Sequence, residues 1–425
     1  MADLKQQDQK RLAAEAQLSA LPMPEGEAGW ARDVRAKARA RLLDAGAPAR
    51  RDEYWKYTDP STLTAPLTLA EASDAEPAST PGFGADVPMI RFVNGRLRED
   101  LSASLSGEGL AGSALADALS QDISIAREIY GVLETAGQEM VARPLSILNT
   151  AAASEGLVLQ ATGTGAARHI RYDQIGAGAG MVRHVIRVET GASLTILESG
   201  MIANSVMEID LADGAELHHV RVQTEADATA ATHIFARLGS ESQLKTFTLT
   251  ADGALTRNEM VMEFTGDDAS GHIAGAVLSK AETHTDNTVF VTHDAVNCES
   301  RQVFKNVLAD KAKGIFQGKI YVKQGAQKTD GYQISQAVLL TDGAEFSAKP
   351  ELEIYADDVA CSHGSTTGAL DPTAMFYLRS RGVPRAEAEA MLIAAFADEA
   401  IGEIADEALA DAIREEVATW MGRRG

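Results

Sequence analysis

The sequence predicts a mainly-β protein in which a long body of short strands lies between two helical regions. Three observations predict it. From about Leu157 to Tyr355 apolar and polar residues alternate at period two, as where Met207, Ile209 and Leu211 interleave with Glu208 and Asp210; that is the spacing of a strand with one buried face. Small-residue turns recur through the same stretch, among them Gly191-Ala192-Ser193, Asp213-Gly214-Ala215, Gly239-Ser240-Glu241, Asp252-Gly253-Ala254 and Asp342-Gly343-Ala344. On either side the apolar period returns to that of a helix.

Taken in order, Leu4 to Leu21 is rich in Ala, Gln, Lys and Leu and stops before Pro22 and Pro24, so it reads as a helix. A second runs from about Ala28 to Leu43 and ends at Gly46 and Pro48. Tyr54-Trp55-Lys56-Tyr57 is an aromatic knot expected to pack this cap against the rest. Residues 65–88 are Pro-, Ala-, Ser- and Thr-rich and read as a connector. Met89 to Val93 followed by Asn94-Gly95 predicts a strand entering a tight turn. Residues 109–153 are mixed, with helical spacing around Ile125 to Val141.

In the body the first turns lie 23 and then 25 residues apart. An irregular repeat of strands and turns suits a β-solenoid, in which each coil buries its inward face against its neighbours. A β-sandwich or barrel fits the alternation as well. After Asp371-Pro372, Ala388, Met391, Leu392, Ala395 and Phe396 form one apolar helical face, and Leu409, Ile413, Val417 and Trp420 form a second. The expected division is 1–88 (helical region and connector), 89–156 (mixed entry segment), 157–364 (β body) and 365–425 (helical tail).

Composition narrows the function. The 425 residues carry 39 Lys and Arg against 61 Asp and Glu, a formal charge of −22, which repels phosphate backbones and anionic lipid. Nucleic acid and membrane are therefore poor partners. Aromatics make up only 5%, so the core is built of aliphatic residues and suits thin, repetitive packing. Two cysteines, Cys298 and Cys361, exclude a disulfide framework and point to a reducing, cytoplasmic setting. They are also too few for a four-thiolate cluster within one chain. The N-terminus has no apolar leader and no apolar run reaches ~18 residues.

Of the motifs, Gly163-Thr164-Gly165 and Gly176-Ala177-Gly178-Ala179-Gly180 lack the third-glycine spacing and the following helix of a dinucleotide site. With no phosphate-loop lysine either, they read as turn glycines, and any ATP used is bound by another chain. Hydrolase signatures are missing too. His218 and His219 are neighbours in a strand and point to opposite faces. His293 and Cys298 could meet across a turn, or be a strand-end histidine and a buried thiol. Cys361-Ser362-His363 places a thiol and an imidazole at i and i+2, on one face of an extended strand. Both ligate iron or zinc, yet two ligands do not close a site. On chemistry alone a buried cysteine beside a capping histidine is the better fit; a functional pair requires further ligands from a partner chain.

The stretch from Lys349 through Cys361-Ser362-His363 to Gly368 closely resembles the signature of the SufB/SufD family of iron–sulfur cluster assembly proteins. Gly314-Ile315-Phe316-Gln317-Gly318 and Gln327-Lys328-Thr329-Asp330-Gly331 resemble its preceding coils, and Met375-Phe376-Tyr377-Leu378-Arg379 its helical tail. Looser matches at Arg51 to Thr58 and Pro144 to Thr150 extend the resemblance over most of the chain. Ser362-His363-Gly364 stands where SufB-type chains carry Glu-His-Glu, which places this chain on the SufD branch. The resemblance implies a right-handed parallel β-helix between helical ends, in a non-catalytic scaffold. It implies a complex with a SufB-type paralogue and two copies of a SufC-type ABC ATPase, the tail docking the ATPase and the β-helix ends pairing the scaffolds. The family's functional histidine falls on His363, as ligand to iron or a nascent iron–sulfur cluster shared with the paralogue; Cys361 matches a common SufD cysteine. A β-helix enzyme acting on polysaccharide is the rival reading, and a homodimer is open to the isolated chain.

Overall fold

A computed structural model describes residues 2–77, 83–84 and 86–422; residues 78–82 and 85 of the expected connector lie outside the described residues. The chain opens with α1 (Ala2–Ala20), α2 (Gly29–Ala45) and the turn α3 (Ser61–Thr64). The entry segment holds β1 (Met89–Val93), β2 (Arg96–Leu97), β3 (Leu110–Ala114), α4 (Leu115–Ser120), α5 (Ala126–Ile129), α6 (Val132–Ala136) and α7 (Pro144–Ala152). The helical spacing around Ile125 to Val141 is thus two short helices. Gly131, at φ 72°, breaks the run between them.

The body runs through β4 (Glu155–Ala161), β5 (Ala166–Asp173), β6 (Met181–Val188), β7 (Ser193–Ser199), β8 (Asn204–Leu211), β9 (Glu216–Gln223), β10 (Thr229–Leu238) and β11 (Gln243–Ala251). It continues with β12 (Leu255–Phe264), β13 (Ser270–Ser279), β14 (His284–His293) and β15 (Glu299–Leu308). The last coils are β16 (Lys313–Val322), β17 (Asp330–Leu339), β18 (Glu345–Ile354) and β19 (Ala360–Gly368). Odd strands β5 to β19 stack parallel in one sheet with β1 and β2 at its far edge, and even strands β4 to β18 stack in a facing sheet with β3 at its edge. The result is a β-solenoid of about seven turns, not a sandwich or barrel. Its repeat lengthens along the body: Ser193 pairs with Glu216, 23 residues on, and Lys313 with Glu345, 32 residues on.

Period-two alternation sends Met207, Ile209 and Leu211 into the interior with Leu157, Ile186, Met262 and Phe304. Their polar neighbours face outward but not into water. Glu208 accepts the Gly131 and Glu134 backbone N–H groups at 2.8 and 2.9 Å and pairs with Arg183 at 2.6 Å. The cover over this even-strand face is the N-terminal region that ends with α7. Every residue of α7 is buried, and Asn149 donates to the Val182 carbonyl at 2.9 Å. The aromatic knot does pack the cap down: Trp55 lies 3.9 Å from the Arg257 guanidinium, and Tyr54 meets Phe290 edge-on.

The odd-strand face is covered by the tail, α8 (Pro372–Ser380), α9 (Arg385–Ile401) and α10 (Glu407–Gly422). Ile393, Ala397, Ala400 and Ile401 bury against Ala274, Leu278, Val303 and Val307. This revises the expected face of α9. Small residues at 397 and 400 let the helix approach the sheet closely, which turns Met391 to solvent, 48% exposed. In α10, Ile413, Val417 and Trp420 bury as expected.

The solenoid interior also holds a polar network. Glu198 accepts from Tyr172 at 2.6 Å and from Arg221 Nε at 2.8 Å, and meets His219 Nε2 at 2.7 Å. Burial opposes its ionisation, but the Arg221 charge and the His219 hydrogen bond outweigh burial and hold the carboxyl well below its usual range. Burial also lowers the pKa of His169, His184, His218, His233 and His293 to about 4. Their folded values lie below the unfolded value near 6.5, so as pH falls the unfolded chain takes up these protons first. The corresponding stability is whole above about pH 6.5 and drains away toward pH 4, on the order of 3 kcal/mol per histidine by the low end. The thermal midpoint should therefore fall steadily across that window, and less steeply in His293→Gln; a flat profile in the native chain would contradict this account.

Candidate functional site

A parallel solenoid satisfies the backbone of each coil with the coils before and after it, so the last coil is left with unpaired edges. Among the described residues those edges are β18, which pairs with β16 alone, and β19, which pairs with β17 alone. Pro350 sits on β18 opposite Gly318. An edge strand tolerates its missing N–H and gains a local block to further pairing.

On β19, Cys361 pairs in register with Gly331 and His363 with Gln333. Gly331 and Gln333 are buried while Tyr332 between them is half-exposed, so Cys361 and His363 stand on the inward row of the solenoid at its open end. Cys361 is half-buried and packs with Ile320, Val322 and Ala356. Its thiol takes the space over Gly331, where a Cβ would lie 3.1 Å from Sγ. Burial pushes the thiol pKa up, against a backbone hydrogen bond from Gly331 that lowers it. His363 is exposed at the coil's end.

Chemically the strip presents one thiol and one imidazole to whatever covers the open end. Among the described residues no three His, Cys, Asp or Glu side chains converge to hold a metal. Just after β18, Tyr355 is 58% exposed and stacks edge-on to Tyr321. Farther off, Phe376 and Tyr377 on α8 are 73% and 57% exposed, an apolar face that the tail leaves uncovered.

The other sequence candidates separate. His293 Nε2 meets Ser300 Oγ at 2.9 Å and its ring stacks on Phe264, while the Cys298 thiol donates to the Gly266 carbonyl at 3.3 Å. The two are a core histidine and a buried thiol. His219 lies inside the solenoid and His218 on its outer surface facing the tail. Both glycine clusters form turns, the second leading into strand β6. Sequence reasoning missed the side chains beneath the strip, Gln302 and Gln333. Their signal was two glutamines at buried, alternating positions of strands, 31 residues apart and aligned only by the register. No described helix is long and apolar enough to cross a membrane.

Residues 172–396 match the family model described as SUF system FeS cluster assembly, SufBD core domain. The chain is 29% identical over 402 residues to the iron–sulfur cluster assembly protein SufD of Escherichia coli (strain K12), covering 90% of each. It is also 29% identical over 393 residues to a SufBD family protein of Synechocystis, covering 84% of each. With SufD of Bacillus subtilis it shares 28% over 236 residues, 53% of this chain and 54% of that one.

The geometry predicts a ranking of the two thiols. Brief alkylation of the native chain, read by peptide mass spectrometry, should label the half-buried Cys361 well before the buried Cys298. Equal labelling would contradict the placement of β19 at an open end.

Proposed function

The chain belongs to the SufBD family of iron–sulfur cluster assembly proteins, and from that premise we propose that it is a SufD-type scaffold subunit whose open coil forms half of a cluster-building seam. The carrying observation is the pair of ligand-type side chains, Cys361 and His363, on the inward row of a strand with one free edge. The nascent cluster is cargo here, and the remaining ligands come from a SufB-type paralogue that covers the open coil. His363 is the principal ligand. Exposed and carrying lone pairs when neutral, it donates to iron, and protonation blocks it. Cys361 is the secondary ligand, because burial favours its protonated thiol. Two free cysteines suit a reducing cytoplasm.

In this reading the chain divides at 88, 156 and 364, and the segment 365–425 docks a SufC-type ABC ATPase through the uncovered face around Phe376 and Tyr377. ATP binding and hydrolysis belong to that partner. Closure of the ATPase pair pulls on α8 to α10 in both scaffolds and reshapes the seam. The polysaccharide-enzyme reading has no support from the family.

Two experiments test the reading. In the reconstituted complex His363→Ala should lower the rate of transferable cluster formation at least about tenfold, the scale of single changes around metal sites; an unchanged rate sinks the ligand role. Separately, Phe376→Asp with Tyr377→Asp should abolish co-purification of the ATPase while the paralogue is retained. Retention of both partners would refute the docking face.

A further inference from the structure

Beneath His363 the inward row continues as a column of side-chain amides. Gln302, Gln333 and His363 stand in register on β15, β17 and β19, and both glutamines are fully buried. Gln333 Nε2 donates to Gln302 Oε1 at 2.8 Å. That bond commits the nitrogen of the Gln333 amide to the coil below and leaves Oε1 as the atom still to be satisfied. This oxygen is buried and has no partner. The amide lies in a space kept open by Gly318 on the facing sheet, where a Cβ would come within 2.2 Å of Nε2.

A buried carbonyl oxygen without a donor is uncommon in folded proteins. The next side chain along the row is His363, which has no hydrogen-bond partner among the described residues. Adjacent strands lie about 4.8 Å apart, so an imidazole leaning from β19 over β17 brings a ring N–H within bonding reach of that oxygen.

We propose that Gln333 is a positioning residue for His363: its Oε1 accepts the imidazole Nδ1–H and holds the neutral ring in the tautomer whose Nε2 lone pair faces the open end. The hydrogen bond made by one ring nitrogen decides which nitrogen is free to ligate. A glutamine suits this task because it is neutral at every pH and its own N–H is anchored to Gln302. This inference deepens the seam reading and rests on it for its purpose, but the tautomer itself is measurable without iron or partners.

The test uses the full chain labelled with ¹⁵N-histidine, at a pH well above the imidazole range. Long-range ¹H–¹⁵N correlation distinguishes the two neutral tautomers, and the His363 signal is identified by its loss in His363→Asn. The expected result is an Nδ1–H form for His363, the minor tautomer of a free imidazole. Gln333→Met should return His363 to the Nε2–H form, and Gln333→Glu, which keeps an acceptor at the same place, should restore Nδ1–H. A native spectrum already in the Nε2–H form overturns the proposal whether or not either variant folds. So does an unchanged Nδ1–H form in a folded Gln333→Met chain. Loss of the His363→Ala effect on cluster formation, by contrast, would overturn the seam reading and leave the tautomer result standing.

Discussion

The structure depends on one constraint, that each body strand takes its ladder hydrogen bonds from the coil before it and the coil after it. Buried backbone groups left unpaired are costly, so a solenoid must resolve its two ends. At the first end β1, β2 and β3 provide irregular capping pairs, and the antiparallel pairing of β3 with β4 stops further stacking. At the last end β18 and β19 have no such cover. The asymmetry leaves one end with free strand edges before any side chain is considered. The ligand-type residues then fall on that same end.

The two outward faces follow from a second consequence of stacking. A sheet of alternating residues has an outer face that water or other elements must cover, and this chain divides the work between its two terminal regions. The N-terminal region covers the even strands over buried charges, with Arg143 of the entry segment reaching Glu259 at 3.0 Å beside pairs on the strands themselves, such as Arg183 with Glu208 at 2.6 Å. Removing one partner of such a pair leaves an uncompensated buried charge, typically at a cost of about 3–5 kcal/mol. The tail covers the odd strands with an apolar interface instead. One cover is keyed by specific polar contacts, and the other rests on small apolar residues of α9.

Legibility in the sequence tracks how locally each feature is encoded. The alternation of Met207, Ile209 and Leu211 and the recurrent turns are local, so the strand body and the helical ends could be read directly. The common face of Cys361 and His363 is equally local, since i and i+2 share a side of any strand. What the alternation left open, solenoid or sandwich, depends on pairing between residues 23 to 32 apart, which no local period records. The same distance hid the Gln302–Gln333 column and the network of Glu198, His219 and Arg221. Each of these polar residues falls at a buried position of its own strand and is explained by a neighbour one coil away. The face of α9 was misread for a related reason: hydrophobicity favoured Met391, whereas the fit to the sheet favoured Ala397 and Ala400.

Where the tail meets the body, one cation joins the two. Lys305 on β15 is 2% exposed on its side chain and is bonded both to Gln336 on β17 and to Glu399 on α9, with the Phe396 ring 4.8 Å away. A second contact, His272 Nδ1 with Glu403 at 3.0 Å, ties β13 to the end of the same helix. With α9 seated, the buried Lys305 ammonium holds Gln336 and Glu399 at once, while the Glu399 side chain itself remains largely exposed. β17 is the strand on which β19 is stacked. Displacing α9 therefore disturbs a bonded group on the strand that carries Gln333, three residues from Gln336, and not merely the outer surface. The tail and the open coil are separated along the chain by a turn, and Lys305 adds a second connection between them, from Glu399 of α9 through Gln336 to the strand on which β19 is stacked.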